Sequence, residues 1–201
     1  MIRAVVFDFG GVIVNFTPSD LEKFISGFFH LPIEIVKKSL FPSGGELIEG
    51  KITEDSFWRN YASSVGRRLP QNWEKIFTSF LLEKTIVNRA VMDIVKNLQK
   101  KKLLTPLLSN ISPVQLKIFK DVGYFNLFNP LIFSCEVGFK KPDRHIFEFL
   151  LKTIHLKPHE CLLIDDDENN VDAASHLGMH FIRFQSESHL SRELKIFIQD
   201  L

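Results

Sequence analysis

The run Ala4-Val5-Val6-Phe7-Asp8-Phe9-Gly10-Gly11-Val12-Ile13-Val14 sets a single carboxylate between strand-forming apolar residues and two glycines. A strand apolar enough to be buried on both faces and ending at Asp8 places that carboxylate at a sheet's carboxyl edge. Open α/β sheets bind ligands at that edge. Gly10 and Gly11 permit a tight turn and a close approach of a ligand or metal to the backbone. Further along stand Ser109-Asn110 before a helix start, Lys141 directly before Pro142, and the triplet Asp165-Asp166-Asp167. Carboxylates gathered at one edge repel one another unless a cation sits among them. Hard oxygen ligands suit Mg²⁺, with water and phosphate completing the shell. Ser109 and the N–H groups that follow it suit an anion, and Lys141 adds a point charge for the same anion. A carboxylate nucleophile, a metal and a phosphate-sized anion site describe phosphoryl transfer through an aspartyl-phosphate.

These residues need a parallel sheet to bring them together, and the pattern supplies one. After the first strand the chain reads as helices only. Apolar residues at helical spacing predict a helix over Pro18–His30, and Pro32 opens a second that runs through Phe41. Pro42-Ser43-Gly44-Gly45 is expected to break the chain before a short turn at Glu46–Glu49. Thr53 caps a helix with Glu54 and Asp55 in its first turn, and another follows over Gln71–Leu82. Beyond an amphipathic helix at Val87–Lys102, strands alternate with helices. The strands are Leu103–Leu108, Leu131–Ser134, Cys161–Ile164 and His180–Phe184. The helices run from Ser112-Pro113 to Val122, from Pro142 to His155, up to Gly178, and over Glu187–Gln199. This alternation implies a Rossmann-like α/β core with right-handed crossovers and an all-helical block inserted after its first strand. The expected boundaries are 1–15 and 84–201 for the core and 16–83 for the insert.

Composition narrows the function classes. The 201 residues carry a net charge of +1 and 45% hydrophobic residues, so no basic excess points to nucleic acid. No apolar segment is long enough for a bilayer and no signal peptide is recognisable, so a cytoplasmic protein without membrane or nucleic-acid partners is expected. A monomer or homodimer is expected. Cys135 and Cys161 make no disulfide framework and have no neighbours that would activate a thiolate. The seven histidines show no metal spacing. Phe24, Phe28, Phe57, Trp58 and Trp73 read as core of the insert by their helical spacing. Glu46, Glu49 and Lys51 are candidates to face a substrate.

Over its whole length the chain resembles the haloacid dehalogenase superfamily. Asp8-Phe9-Gly10-Gly11-Val12 resembles the first family motif, Ser109-Asn110 the second, Lys141-Pro142 the third, and Ile164-Asp165-Asp166-Asp167-Glu168-Asn169-Asn170-Val171 the fourth. The insert stands where the family's helical cap stands. The pattern is similar to helical-cap bacterial sugar-phosphate phosphatases of the glucose-1-phosphate type. The resemblance implies Asp8 as nucleophile and Mg²⁺ held by Asp8, the Gly10 carbonyl and Asp166. It implies that Ser109, Asn110 and Lys141 serve the substrate phosphate, with Asn110 mainly shaping the loop and Lys141 also beside Asp8. Asp165 and Asn170 are supporting residues. The implied substrate is a small phosphorylated metabolite.

One position departs from the pattern. Most phosphatases of the family carry an acid two residues after the nucleophile, and this chain has Gly10 there. Loss of general acid–base help costs about 10²–10⁴-fold in rate. Two alternatives follow: 2-haloacid dehalogenation, whose halide leaves unprotonated, and a catalytically weakened binding protein on the same scaffold. A phosphomutase needs the missing acid–base group most. The dehalogenase reading leaves Asp165 and Asp166 without a purpose.

Overall fold

The computed structural model describes residues 1–198, apart from the side chains of 41–43. The expected end of the last helix, Gln199, lies outside the described residues. The chain begins with β1 (Ala4–Phe7), then runs through four helices, α1 (Pro18–Phe29), α2 (Ile33–Ile48), α3 (Glu54–Ser64) and α4 (Trp73–Lys84). α5 (Arg89–Lys100) leads to β2 (Leu107–Ser109), α6 (Pro113–Val122), β3 (Leu131–Phe133) and the one-turn α7 (Ser134–Val137). α8 (Arg144–Ile154), β4 (Cys161–Asp165), α9 (Glu168–His176), β5 (His180–Arg183) and α10 (Glu187–Phe197) complete it. The strands form one parallel sheet in the order β3-β2-β1-β4-β5, with β1 at its centre. No helix among the described residues is long and apolar enough to cross a membrane.

The three central strands β2, β1 and β4 are buried on both faces, and period-2 alternation divides their side chains. Val5 and Phe7 join one core with Leu107, Leu162 and Ile164, packed against Val91, Val95 and Leu98 of α5 and Leu190 and Leu194 of α10. Ala4 and Val6 join a second with Leu108, Ile132 and Leu163, packed against Ile146, Phe147 and Leu150 of α8. Burying both faces fixes the register, because a one-residue slip would exchange the two sets of side chains.

Three differences from the sequence expectation have physical reasons. The helix expected to stop at Phe41 continues to Ile48, so Pro42-Ser43-Gly44-Gly45 breaks nothing. An internal proline costs roughly 3 kcal/mol, but Val36, Leu40 and Leu47 keep helical spacing across it and are all buried. Tertiary packing there outweighs propensity. α8 begins at Arg144 rather than Pro142, because Asp143 takes the capping role and accepts from His145 N at 2.9 Å. The second strand is shorter than expected: Leu104 and Thr105 make only isolated bridges, and the ladder starts after Pro106, which has no N–H to give.

The chain enters and leaves the four-helix insert through one paired ribbon. Asn15 N donates to Ile86 O at 3.1 Å, Ile86 N to Asn15 Oδ1 at 2.9 Å, and Asn88 N to Ile13 O at 2.8 Å. Val14 and Val87 form an antiparallel bridge between them.

Candidate active site

Each strand at the centre of the sheet delivers one polar residue to the carboxyl edge. β1 ends at Phe7, and Asp8 N donates to Ile164 O at 2.9 Å, holding Asp8 to the neighbouring strand. β2 ends in Ser109 and β4 in Asp165. Lys141 comes from the loop before α8 and joins them. Its Nζ donates to Asp8 Oδ1 at 2.7 Å and to Asp165 Oδ2 at 2.6 Å. Asp165 is held in turn by Asp167 N and Asn170 Nδ2, each 3.0 Å from Oδ1. Asp8, Lys141, Asp165, Asn170 and Ser109 are all buried.

Carboxylate oxygens of Asp8, Asp165 and Asp166 lie within 4.8 Å of one another. Three carboxylates face one ammonium, and among the described residues Asp166 has no ion-pair partner. Burial drives the Asp8 carboxyl up to about 7, with Asp165 and Asp166 adding to the effect and Lys141 opposing it. Burial and Asp165 raise Asp166 as well. Burial opposes the charge on Lys141, but Asp165 and Asp8 outweigh it and raise the ammonium above its ordinary range. The donor set is all oxygen and short of positive charge, which fits a hard divalent cation such as Mg²⁺. The Gly10 carbonyl accepts no hydrogen bond among the described residues and is free to join the set. Gly11 lies at φ +76°, and a Cβ there would stand 2.2 Å from Asp166 Oδ2. The loop therefore closes on Asp166 only because residue 11 has no side chain.

The anion site is narrower than the sequence suggests. The Ser109 hydroxyl has no partner among the described residues, so it is open to a ligand. Ile111 N, however, already donates to Ser134 Oγ at 3.0 Å, and Ser112 N to Gln115 Oε1 at 3.2 Å. The N-terminus of α6 has its own anion. Glu54, from α3 of the insert, accepts from Val114 N at 3.3 Å and Ser112 Oγ at 3.4 Å, and from Trp58 Nε1 at 3.0 Å. A helix N-terminus favours a carboxylate in this position. The Asn110 side chain is turned away from a phosphate role, since both its ends bond the Lys141 backbone at 2.8 Å.

Sequence reasoning missed two residues that fasten the insert to the sheet. Glu54 reads as an ordinary first-turn acid, yet it is buried. Ser134 reads as a strand end, yet its hydroxyl donates to Ile48 O at 2.7 Å while accepting from Ile111 N. Nothing in the sequence separates Ser134 from other serines. For Glu54, Trp58 one helical turn later was an available signal.

A cavity of about 380 Å³ lies between the insert and the strand ends. Asn110 and Lys141 reach it from the sheet, and Phe57 and Trp58 line it from the insert. These two aromatics therefore serve both the insert's core and the cavity wall. Phe24, Phe28 and Trp73 stay with the core of the insert. Glu46 and Glu49 line a separate hollow, and Glu49 pairs with Lys51 at 2.6 Å and Lys140 at 3.6 Å. Burial lifts the thiol of Cys135 to about 11 and that of Cys161 to about 12, so neither is an activated nucleophile.

A five-stranded parallel sheet, an acid after its central strand, a lysine tying that acid to a second one and a helical insert define a haloacid dehalogenase fold. The family model for haloacid dehalogenase-like hydrolases matches residues 2–178, and the chain belongs to that family of hydrolases. It is similar to the D-ribitol-5-phosphate phosphatase of Bacteroides thetaiotaomicron, 28% identical over 98% of this chain and 99% of that one. It is 26% identical to rat bifunctional epoxide hydrolase 2 over 96% of its length, spanning 38% of that longer protein. Among solved structures, a haloacid dehalogenase family enzyme of B. thetaiotaomicron in complex with magnesium and inorganic phosphate superposes with a TM-score of 0.76. It is 21% identical over 94% of this chain and 99% of that one.

Proposed function

We propose that the chain is a Mg²⁺-dependent phosphatase that hydrolyses a small phosphomonoester through an aspartyl-phosphate on Asp8. The observation that carries this reading is the Lys141 bridge. One ammonium holds Asp8 and Asp165 2.7 and 2.6 Å away, while Asp166 beside them has no ion-pair partner among the described residues. That excess of carboxylate calls for a metal, which a dehalogenase does not use. In this reading Asp8, the Gly10 carbonyl and Asp166 hold Mg²⁺. When bound, the metal neutralises these carboxylates and lets a phosphate dianion approach Asp8. Lys141 orients Asp8 and meets the incoming phosphate. The Ser109 hydroxyl and Asn110 N–H bind phosphate oxygens. Asn110 positions Lys141, and Asn170 holds Asp165 in place. The insert, residues 16–83, acts as a cap over the core formed by 1–15 and 84–201.

The relatives support this reading in their own names: one is a phosphatase, and one is a structure containing magnesium and phosphate. The likeness to the D-ribitol-5-phosphate enzyme favours a sugar or polyol phosphate as substrate. The chemistry of the cavity wall weighs against it. The test is phosphate release from a panel of phosphomonoesters with Mg²⁺ and then with excess chelator, using Asp8→Asn as the control. Release that needs the metal and vanishes in Asp8→Asn is the expected result. Release that survives in Asp8→Asn removes the nucleophile assignment, and chloride release from a 2-haloacid without metal would transfer the chain to the dehalogenases.

A further inference from the structure

The cavity has one polar end and an apolar body. Lys141 and Asn110 mark the polar end, and Lys141 touches Asp8 there. An ester whose phosphate meets Asp8 must therefore project its organic half into the rest of the cavity. That part is walled by Leu21, Leu47, Ile48, Phe57, Trp58 and Phe77.

Among the described residues, most polar groups that reach the same wall are already engaged within the protein, Gln115 Nε2 being the exception. Glu54 accepts from Trp58, Ser112 and Val114. Gln115 Oε1 accepts from Ser112 N at 3.2 Å, and Ser112 Oγ accepts from Gln115 N at 3.4 Å. Asn110 is held at both ends by the Lys141 backbone, and Lys140 is paired with Glu49. A polyol placed here would lay most of its hydroxyls against carbon. Each hydroxyl stripped of water without a new partner weakens binding by about tenfold or more.

We infer that the organic half of the substrate is an apolar group without an array of hydroxyls, so that the chain acts on phosphomonoesters of hydrocarbon alcohols rather than on sugar or polyol phosphates. This rests on the phosphatase reading of the same site. Asp8 attacks phosphorus, the P–O bond to the alcohol breaks, and its electron pair stays on the alcohol oxygen. That oxygen takes its proton from water, since Gly10 offers none. The hydroxide left from that water then attacks the aspartyl-phosphate, releasing inorganic phosphate and restoring the Asp8 carboxylate.

The test compares esters of primary alcohols only, so that leaving-group chemistry is matched. Straight-chain alkyl phosphates from ethyl to octyl are assayed with Mg²⁺ beside ribitol 5-phosphate and glucose 6-phosphate. Burying one methylene raises kcat/KM about threefold to fourfold, so a steep rise along the series is expected until the cavity is filled. Hexyl phosphate should exceed both hydroxylated esters by about tenfold or more. Leu21→Gln and Leu47→Gln should flatten the series, with circular dichroism confirming their folding. If either variant misfolds, the slope of the unaltered chain decides alone. A flat series, or a hydroxylated ester cleaved better than hexyl phosphate, overturns the inference and leaves the phosphatase standing. No release from any ester, with Asp8→Asn indistinguishable from the unaltered chain, overturns the phosphatase reading itself and this inference with it.

Discussion

Asn110 grips the Lys141 backbone from both sides: its Oδ1 accepts from Lys141 N and its Nδ2 donates to Lys141 O, each at 2.8 Å. The lysine that bridges Asp8 and Asp165 thus has its main chain fixed by the residue that directly follows β2. Asn110→Ala removes both bonds without touching a carboxylate. Because a misplacement of about 1 Å costs on the order of 10²-fold in rate, phosphate release should fall about 10- to 100-fold. Unchanged kcat in Asn110→Ala would show that Lys141 is aligned by its two ion pairs alone.

Gly10 and Gly11 are neighbours with opposite tolerances. A Cβ on Gly10 meets only Phe16 O, at 3.5 Å, which is ordinary contact. Gly10→Asp is therefore expected to fold and to supply the missing proton donor, raising turnover of alkyl phosphates by about tenfold or more. A Cβ on Gly11 would overlap the Asp166 carboxylate. Gly11→Ala should weaken Mg²⁺ binding, measured by calorimetry. If Gly10→Asp folds and lowers turnover, the vacancy at position 10 is not what limits the rate.

Glu54 gives the insert's attachment a pH dependence. Burial raises its carboxyl above the ordinary 4.5, against the bonds from Trp58, Val114 and Ser112. The folded chain therefore holds this proton more firmly than the unfolded chain. The contribution is fully present below the unfolded value and is lost as pH rises through the folded one. Glu54→Gln removes the ionisation, so its Tm relative to the unaltered chain should climb as pH is raised above 4.5. A relative Tm that instead falls as pH rises would assign the charge a favourable environment, and one that stays constant would assign Glu54 no shift.

Ser134 fastens the other corner of the insert. Its fully buried hydroxyl serves Ile48 O and Ile111 N, and Ser134→Ala leaves both buried groups without it. Urea unfolding should show a loss of about 1–3 kcal/mol. A loss below about 0.5 kcal/mol, the low end for a single hydrogen bond, would mean the insert is held by Glu54 and packing alone.

What could be read in the sequence follows the physics of periodicity. Val5 and Phe7 alternate with Ala4 and Val6, which marks β1 and with it the position of Asp8. Asp165 and Ser109 become legible in the same way, because a strand's end is where its apolar run stops. Hydrogen-bond allegiance has no such period. Ile111 N and Ser112 N look free in sequence and are taken in the fold by Ser134 and Gln115. The helix through Pro42 was illegible for a related reason: the buried trio Val36, Leu40 and Leu47 overrides a local breaker only once there is a core to bury into. Glu54 combines both problems, since its partners lie about sixty residues away in the chain.

The ribbon of Ile13–Asn15 and Ile86–Asn88 gives the insert a single doorway. Both chain directions pass through it side by side, tied by main-chain bonds that ignore side-chain identity apart from Asn15. The four helices are thus a cassette spliced into one gap behind β1. A different cassette joined there would also have to replace the bonds of Glu54 to Ser112 and Val114 and of Ile48 O to Ser134. The doorway is thus the main-chain seam between the insert and the strand that carries Asp8.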